Sequence, residues 1–218
     1  MNALKYGKNL FSSVLILLTL FVATVIVEAT PSMTGSTGMI RMPTADSMRL
    51  GQFSAGYFYW NDHGSGVVAV GLPRGVEISA AVRRNAGDTD TAIYNVKFNL
   101  NQEALLYPAV AIGIEDIDGR DRRSVYGVLS KALPYGFRIH IGTGTGRFEG
   151  MFASLEKVLN PVSLRKKHSG FPVTSLIVEM DGYKMNYGAR MRLAQGLRFD
   201  AGWLGKDERV YFGLTFTN

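Results

Sequence analysis

The chain has 218 residues, with 25 glycines, 7 prolines and no cysteine. That composition excludes a disulfide scaffold, a lipid-modified cysteine anchor and proline-rich disorder, and leaves room for one domain behind a leader. A net charge of +6 and a pI near 9.5 suit a polyanionic partner such as lipopolysaccharide phosphate or acidic polysaccharide, and nucleic acid is the weakest choice for an exported protein.

Lys5 and Lys8 precede a largely apolar run from Leu10 to Val27, and Val27-Glu28-Ala29 places small residues at a signal-peptidase site. A charged start, an apolar centre and a small-residue end predict a signal peptide over residues 1–29, cleaved before Thr30. The run is also long enough, at about 18 residues, to serve as an uncleaved inner-membrane anchor. Residues 30–50 form a Gly-rich segment that reads either as a lumen plug or as a first strand.

Residues 51–218 are the expected barrel, and from Thr174 to Thr217 apolar and polar side chains alternate in strict period two through four short segments. Tyr187, Ala189, Met191 and Leu193 alternate with Gly188, Arg190 and Arg192, and Val210, Phe212, Leu214 and Phe216 with Tyr211, Gly213 and Thr215. Such runs are strands with one apolar and one polar face. The alternation predicts strands at 51–60, 66–72, 76–84, 91–100, 107–116, 123–132, 136–145, 151–158, 173–181, 185–193, 197–204 and 209–217. Short connections such as Asp181-Gly182 and Gln195-Gly196 make neighbours antiparallel. Behind a leader, the pattern predicts an all-β fold: an antiparallel transmembrane β-barrel of about twelve strands (roughly 10–14) in a Gram-negative outer membrane. With the first strand running outward from the periplasm, the connections at 73–75, 101–106, 133–135, 159–172 and 194–196 face the periplasm; 159–172 is long for such a turn.

Solvation decides the faces. An Arg or Lys facing hydrocarbon costs about 2–4 kcal/mol at the midplane, so the apolar faces go outward to lipid. Glu77, Arg83, Lys97, Glu115, Arg138, His140, Glu156, Glu179, Arg190, Arg192, Arg198 and Asp200 then face the lumen. Among these, the cations and acids nearly balance. Enclosed charges need partners, and twelve tilted strands give a backbone radius of roughly 12 Å. Both considerations predict a filled or narrow lumen.

Three segments carry a resemblance. Thr34 to Trp60 opens with Gly35, Gly38, Met39, Pro43 and Ala45; Met151 to Pro161 contains Leu155-Glu156; Ser175 to Leu193 contains Glu179, Asp181 and Gly182. In this order they resemble the YjbH-type proteins of Gram-negative exopolysaccharide biosynthesis. The chain departs from that pattern at Lys157, where an aromatic follows the glutamate, and at Met180, where a tyrosine precedes the aspartate. The resemblance implies a non-enzymatic outer-membrane barrel in exopolysaccharide production or export. Its expected partners are membrane lipid and polysaccharide or polysaccharide-export proteins.

Other patterns are weaker. Glu179 and Asp181 share a strand face but end in an Asp-Gly hairpin signal, which makes a carboxylate pair for catalysis a poor reading. His63, His140 and His168 fall on separate elements, so no metal site is expected, and no cofactor motif is present. Gly142-Thr143-Gly144-Thr145-Gly146 lacks the lysine and helix of a phosphate loop. Arg165, Lys166 and Lys167 form a candidate anion-binding loop. Competing functions are a small passive porin, an anchored periplasmic sugar-binding β-domain and a barrel-embedded enzyme.

Overall fold

Every run of alternating side chains becomes a strand. The computed structural model describes residues 29–84, 89–160, 172–182, 184–206 and 208–218. Its strands are β1 (Phe53–Trp60), β2 (His63–Gly71), β3 (Val76–Arg84), β4 (Thr91–Asn101), β5 (Ala109–Glu115), β6 (Ser124–Leu133), β7 (Phe137–Gly144), β8 (Gly150–Val158), β9 (Val173–Asp181), β10 (Lys184–Ala194), β11 (Leu197–Leu204) and β12 (Arg209–Thr217). Each pairs antiparallel with its chain neighbours, and β1 pairs with β12, so the sheet closes into a barrel with no free edge. Closure lets an apolar surface meet lipid without unpaired backbone.

The strand positions agree with the alternation in the sequence; the largest difference is β2, which starts at His63. Gly64, Ser65 and Gly66 carry no apolar signal, yet they pair along β1 down to Trp60 opposite His63. The connection is therefore the two-residue turn Asn61-Asp62, with φ of 40° and 66°. Asn and Asp tolerate this left-handed pair, whose twist matches the flanking strands.

The two faces separate as solvation requires. Val68, Ile112, Leu129, Leu176, Tyr187, Phe212 and Leu214 are exposed on the outer wall, while Glu77, Lys97, Glu115, His140, Glu179 and Asp200 are buried within. Aromatic residues border both ends of this belt: Phe53, Phe98, Phe137 and Phe216 at one, Tyr59 and Trp203 at the other. Such girdles are usual where a barrel meets the lipid interfaces. The end at which β1 begins and β12 finishes is here the near rim, and the opposite end the far rim. Residues 1–28, which hold nearly all of the expected leader, lie outside the described residues, as do Arg165, Lys166, Lys167 and His168.

Leu214, near the centre of β12, and Phe199, the third residue of β11, are register partners on the outward face. Either one changed to arginine places a guanidinium in mid-belt, at a cost of about 2–4 kcal/mol. Leu214→Arg and Phe199→Arg should abolish heat-modifiable mobility on gels; a normal shift for both would contradict the lipid-facing assignment.

Candidate functional site

The lumen is occupied by the chain's own residues 29–48. Ser32, Met33, Thr34, Met39, Ile40, Met42, Ala45 and Met48 are all buried, and the segment touches the inner wall from β2 to β11. It enters and leaves at the near rim: Ala29 packs with Met48 and Ala69, and the Gly51 N–H donates to Gly71 O. In between it makes two small loops, closed by bridges between Pro31 and Thr37 and between Gly38 and Pro43. The first loop needs Gly35, whose φ is +100° and whose absent Cβ would lie 2.9 Å from the Ala80 carbonyl oxygen. The second needs Gly38, because a Cβ there would run into Met42 O across the bridge. These are the two glycines that open the family motif.

An irregular segment cannot satisfy all its own backbone groups, and a buried one has no bulk water to do it. Its internal bonds include Ser32 N–H to Ser36 O, Met33 N–H to Ile40 O and Thr44 N–H to Thr37 O. The wall supplies many of the rest. Glu179 on β9 accepts the N–H groups of Ile40 at 2.8 Å, Arg41 at 3.0 Å and Met42 at 3.2 Å, and is held by Asn186 Nδ2 at 2.9 Å. Glu77 on β3 accepts Thr37 N–H at 2.8 Å, the Thr37 hydroxyl and Met48 N–H. Cations serve the carbonyls. Lys97 donates to Thr37 O and Asp46 O, Arg190 to Gly38 O and Met39 O, and Arg198 to Pro31 O. Neutral groups complete the set: Ser65 donates to Met33 O, Asn95 to Thr34 O and Asn99 to Ala45 O, while Ser130 accepts Ala45 N–H.

Charges also pair with each other. Lys97 lies 3.1 Å from Glu77, with both side chains fully enclosed. Asp200 receives Arg190 Nε at 2.9 Å and Arg198 Nε at 2.6 Å. Arg138 divides between Asp46 and Glu103, each at 2.6 Å. Partial burial alone would raise the Glu103 pKa, but the Ala132 N–H and the Arg138 guanidinium outweigh it and hold the carboxyl below its ordinary value.

Arg147, in the turn Gly146–Phe148, ties the segment to the far rim. It reaches Glu115 at 2.6 Å, Asp181 at 2.8 Å and Arg41 O at 2.6 Å. Burial opposes its charge, yet Glu115 and Asp181 raise its pKa above the ordinary guanidinium value. Behind it Phe148 and Phe152 pack together, with Tyr126 edge-on to Phe148, in the far half of the lumen, and Gly142 and Gly144 leave room for these rings.

The structure places Lys97, Glu115, Arg138, Glu179, Arg198 and Asp200 buried inside the barrel, with Glu156, Arg190 and Arg192 facing inward but partly accessible. The enclosed charges find partners of two kinds, other charges and plug backbone: among the described residues Glu179 has no cation among its hydrogen-bond partners and serves plug N–H groups instead. Asp181 is more than a turn former, since it pairs with Arg147 and lies 3.7 Å from Arg41. Of the motif residues, Met39 and Ala45 sit in the plug core, Leu155 on the outer wall, and Gly182 at the far-rim hairpin with φ of 65°. Sequence reasoning missed Asp46, Glu103 and Arg147, all in connecting segments where period two carries no information. Asp46, an acid near the end of a segment of small and apolar residues, was the one available hint.

The family model for exopolysaccharide biosynthesis protein YbjH (YjbH) matches residues 30–173, more than half of the 218-residue chain and running from the plug to the start of β9. The chain belongs to this family. No curated protein matches it. A closed barrel with an apolar outer belt, in a family of exopolysaccharide biosynthesis, fits an outer-membrane protein linked to exopolysaccharide.

Glu179→Gln removes the charge and one of two acceptor oxygens, so that its N–H₂ meets either the plug N–H groups or Asn186 Nδ2, and each buried group left without a partner costs about 1–3 kcal/mol. Asp200→Asn leaves two guanidiniums on a neutral group, at about 3–5 kcal/mol by the precedent of broken buried pairs. Both variants should unfold at lower urea concentration than wild type in the same lipid. An unchanged midpoint for Glu179→Gln would mean that the plug is not held through this carboxylate.

Proposed function

We propose that this family member is a non-enzymatic outer-membrane barrel that supports exopolysaccharide production or export with its lumen closed. In this reading it acts as a fixed element of a secretion assembly, and polymer does not pass through it. The observation that carries the reading is the plug: backbone and side chains of residues 29–48 fill the space through which a polymer or ion would move. The belt of exposed apolar residues around all twelve strands supports the membrane setting, and the family match supports the link to exopolysaccharide. Delivery through the leader at 1–29 belongs to the same proposal, and the family match begins at Thr30.

A passive porin would need a continuous aqueous path, and the wall hydrogen bonds to the plug argue against one. The alternative worth separating is a gated conduit, in which the plug leaves to let polymer through. The chain has no cysteine, so a lock can be installed cleanly. Ser36 Oγ on the plug lies 3.4 Å from Ser79 Oγ on β3. A Ser36→Cys/Ser79→Cys pair should oxidise and hold the plug in place.

Cells lacking the protein should export less polysaccharide, and the oxidised double-cysteine variant should restore export as well as wild type does. Planar-bilayer recordings of wild type should show low conductance, and a large stable conductance would favour the porin. Export lost on oxidation and regained on reduction would replace the closed-barrel reading with a gated conduit.

A further inference from the structure

At the near rim two lysines break the rule that charges face the lumen. Lys131 on β6 and Lys157 on β8 have the outward parity of Leu129 and Leu155, both exposed on the outer wall. An ammonium near the end of a span escapes hydrocarbon by turning its head towards the interface. Both lysines turn onto carbonyls of near-rim connections. Lys131 Nζ donates to Ala104 O at 2.6 Å and Leu105 O at 2.9 Å and lies 3.3 Å from Glu103 Oε1. Lys157 Nζ donates to Tyr135 O and sits 4.3 Å from the centre of the Phe137 ring.

These bonds fix which way the connections present their side chains. With its carbonyls drawn onto Lys131, the loop after β4 sends Leu105 and Leu106 outward, 81% and 80% exposed against 46% for Leu129 in the belt. Tyr107 in the same loop and Tyr135 in the turn after β6 are exposed at the same rim. The loop is braced throughout: Ala104 N–H donates to Tyr107 O, Ala132 N–H to Glu103 Oε1, and Asn101 Nδ2 to Pro108 O. Tyr135 is set by the turn Pro134–Gly136, where it holds a φ of 63°.

We propose that Leu105, Leu106 and Tyr107, with Tyr135, form a fin that seats the near rim in a phospholipid headgroup layer rich in anionic lipid. The inference rests on the reading of the barrel as membrane-embedded. The fin continues the outer belt at its border. It combines apolar tips, amphipathic tyrosines and snorkelling lysines, the mixture that interfaces favour. The charge is complementary too. Asp46 and Glu103 are spent on Arg138 and Lys131, and among the described residues the exposed side-chain charges of the near-rim turns are Arg49 and Arg74. Two exposed arginines and an apolar fin at the same rim match a leaflet bearing phosphate and acyl chains.

The test uses single-cysteine variants carrying the environment-sensitive label NBD at Leu106→Cys, at Val178→Cys in mid-belt and at Asp118→Cys in a far-rim loop. Each is reconstituted in phosphatidylethanolamine–phosphatidylglycerol vesicles containing spin-labelled lipid. The label at 106 should be blue-shifted and quenched more by shallow than by deep spin labels, that at 178 more by deep ones, and that at 118 by neither. Exchanging phosphatidylglycerol for phosphatidylcholine should weaken quenching at 106, and so should adding Lys131→Gln, with 178 unchanged in both cases. A water-like, unquenched label at 106 beside a quenched one at 178 overturns the fin and assigns these residues to a protein partner. Quenching at 106 indifferent to phosphatidylglycerol removes the anionic-lipid part, and indifference to Lys131→Gln removes the role of that lysine. Absence of quenching at both 106 and 178 would instead overturn the membrane reading beneath it.

Discussion

The structure depends on one requirement: peptide groups of an irregular segment, enclosed away from bulk water, must find hydrogen-bond partners. An unpaired buried donor or acceptor costs about 1–3 kcal/mol, and residues 29–48 carry many. The barrel meets this need with side chains. Carboxylates meet N–H groups, as Glu179 does for three successive residues and Glu77 for two, while Lys97, Arg147, Arg190 and Arg198 meet carbonyls. The lumen charges are thus the binding surface for a strand-free stretch of the same chain.

The arrangement also explains how so many charges survive enclosure. A buried ion pair is favourable only when its remaining donors and acceptors are satisfied. Glu77 and Lys97 face each other, yet each also bonds plug backbone; Arg190 and Arg198 share Asp200, and each sends another nitrogen to a plug carbonyl, although Arg198 Nη1 meets no acceptor among the described residues. Plug and wall therefore fold together. Removing the plug would leave acids and cations without their backbone partners, and removing one wall charge would leave peptide groups without theirs.

Outside the barrel the solvation problem is the reverse. Hydrocarbon tolerates no free charge, and the outer wall follows that rule up to its ends, where Arg84 lies at the far rim and two lysines at the near rim. There Lys131 and Lys157 point outward, and rim carbonyls take over the solvation of their ammonium groups. In both places a charged side chain is made tolerable by backbone of the opposite partial charge, inside by the plug and outside by the turns.

Period two was enough to read the strands, their antiparallel order, the outward apolar face and the inward direction of Lys97, Glu115, Arg138, Glu179, Arg198 and Asp200. It works because a strand's side chains alternate by local geometry, and because lipid and lumen impose opposite solvation on its two faces. Asn61-Asp62 escaped it, since Gly64 to Gly66 have little side chain to alternate. The sequence left open whether residues 30–50 plug the lumen or extend the sheet. Only closure of the barrel decided that, by bringing Glu77, Glu179 and Ser130, far apart in sequence, around one short segment. The roles of Asp46, Glu103 and Arg147, and the outward capping of Lys131, were likewise decided by tertiary contact. These residues lie in connections or at strand ends, where partners are set by register and closure and no local periodicity records them.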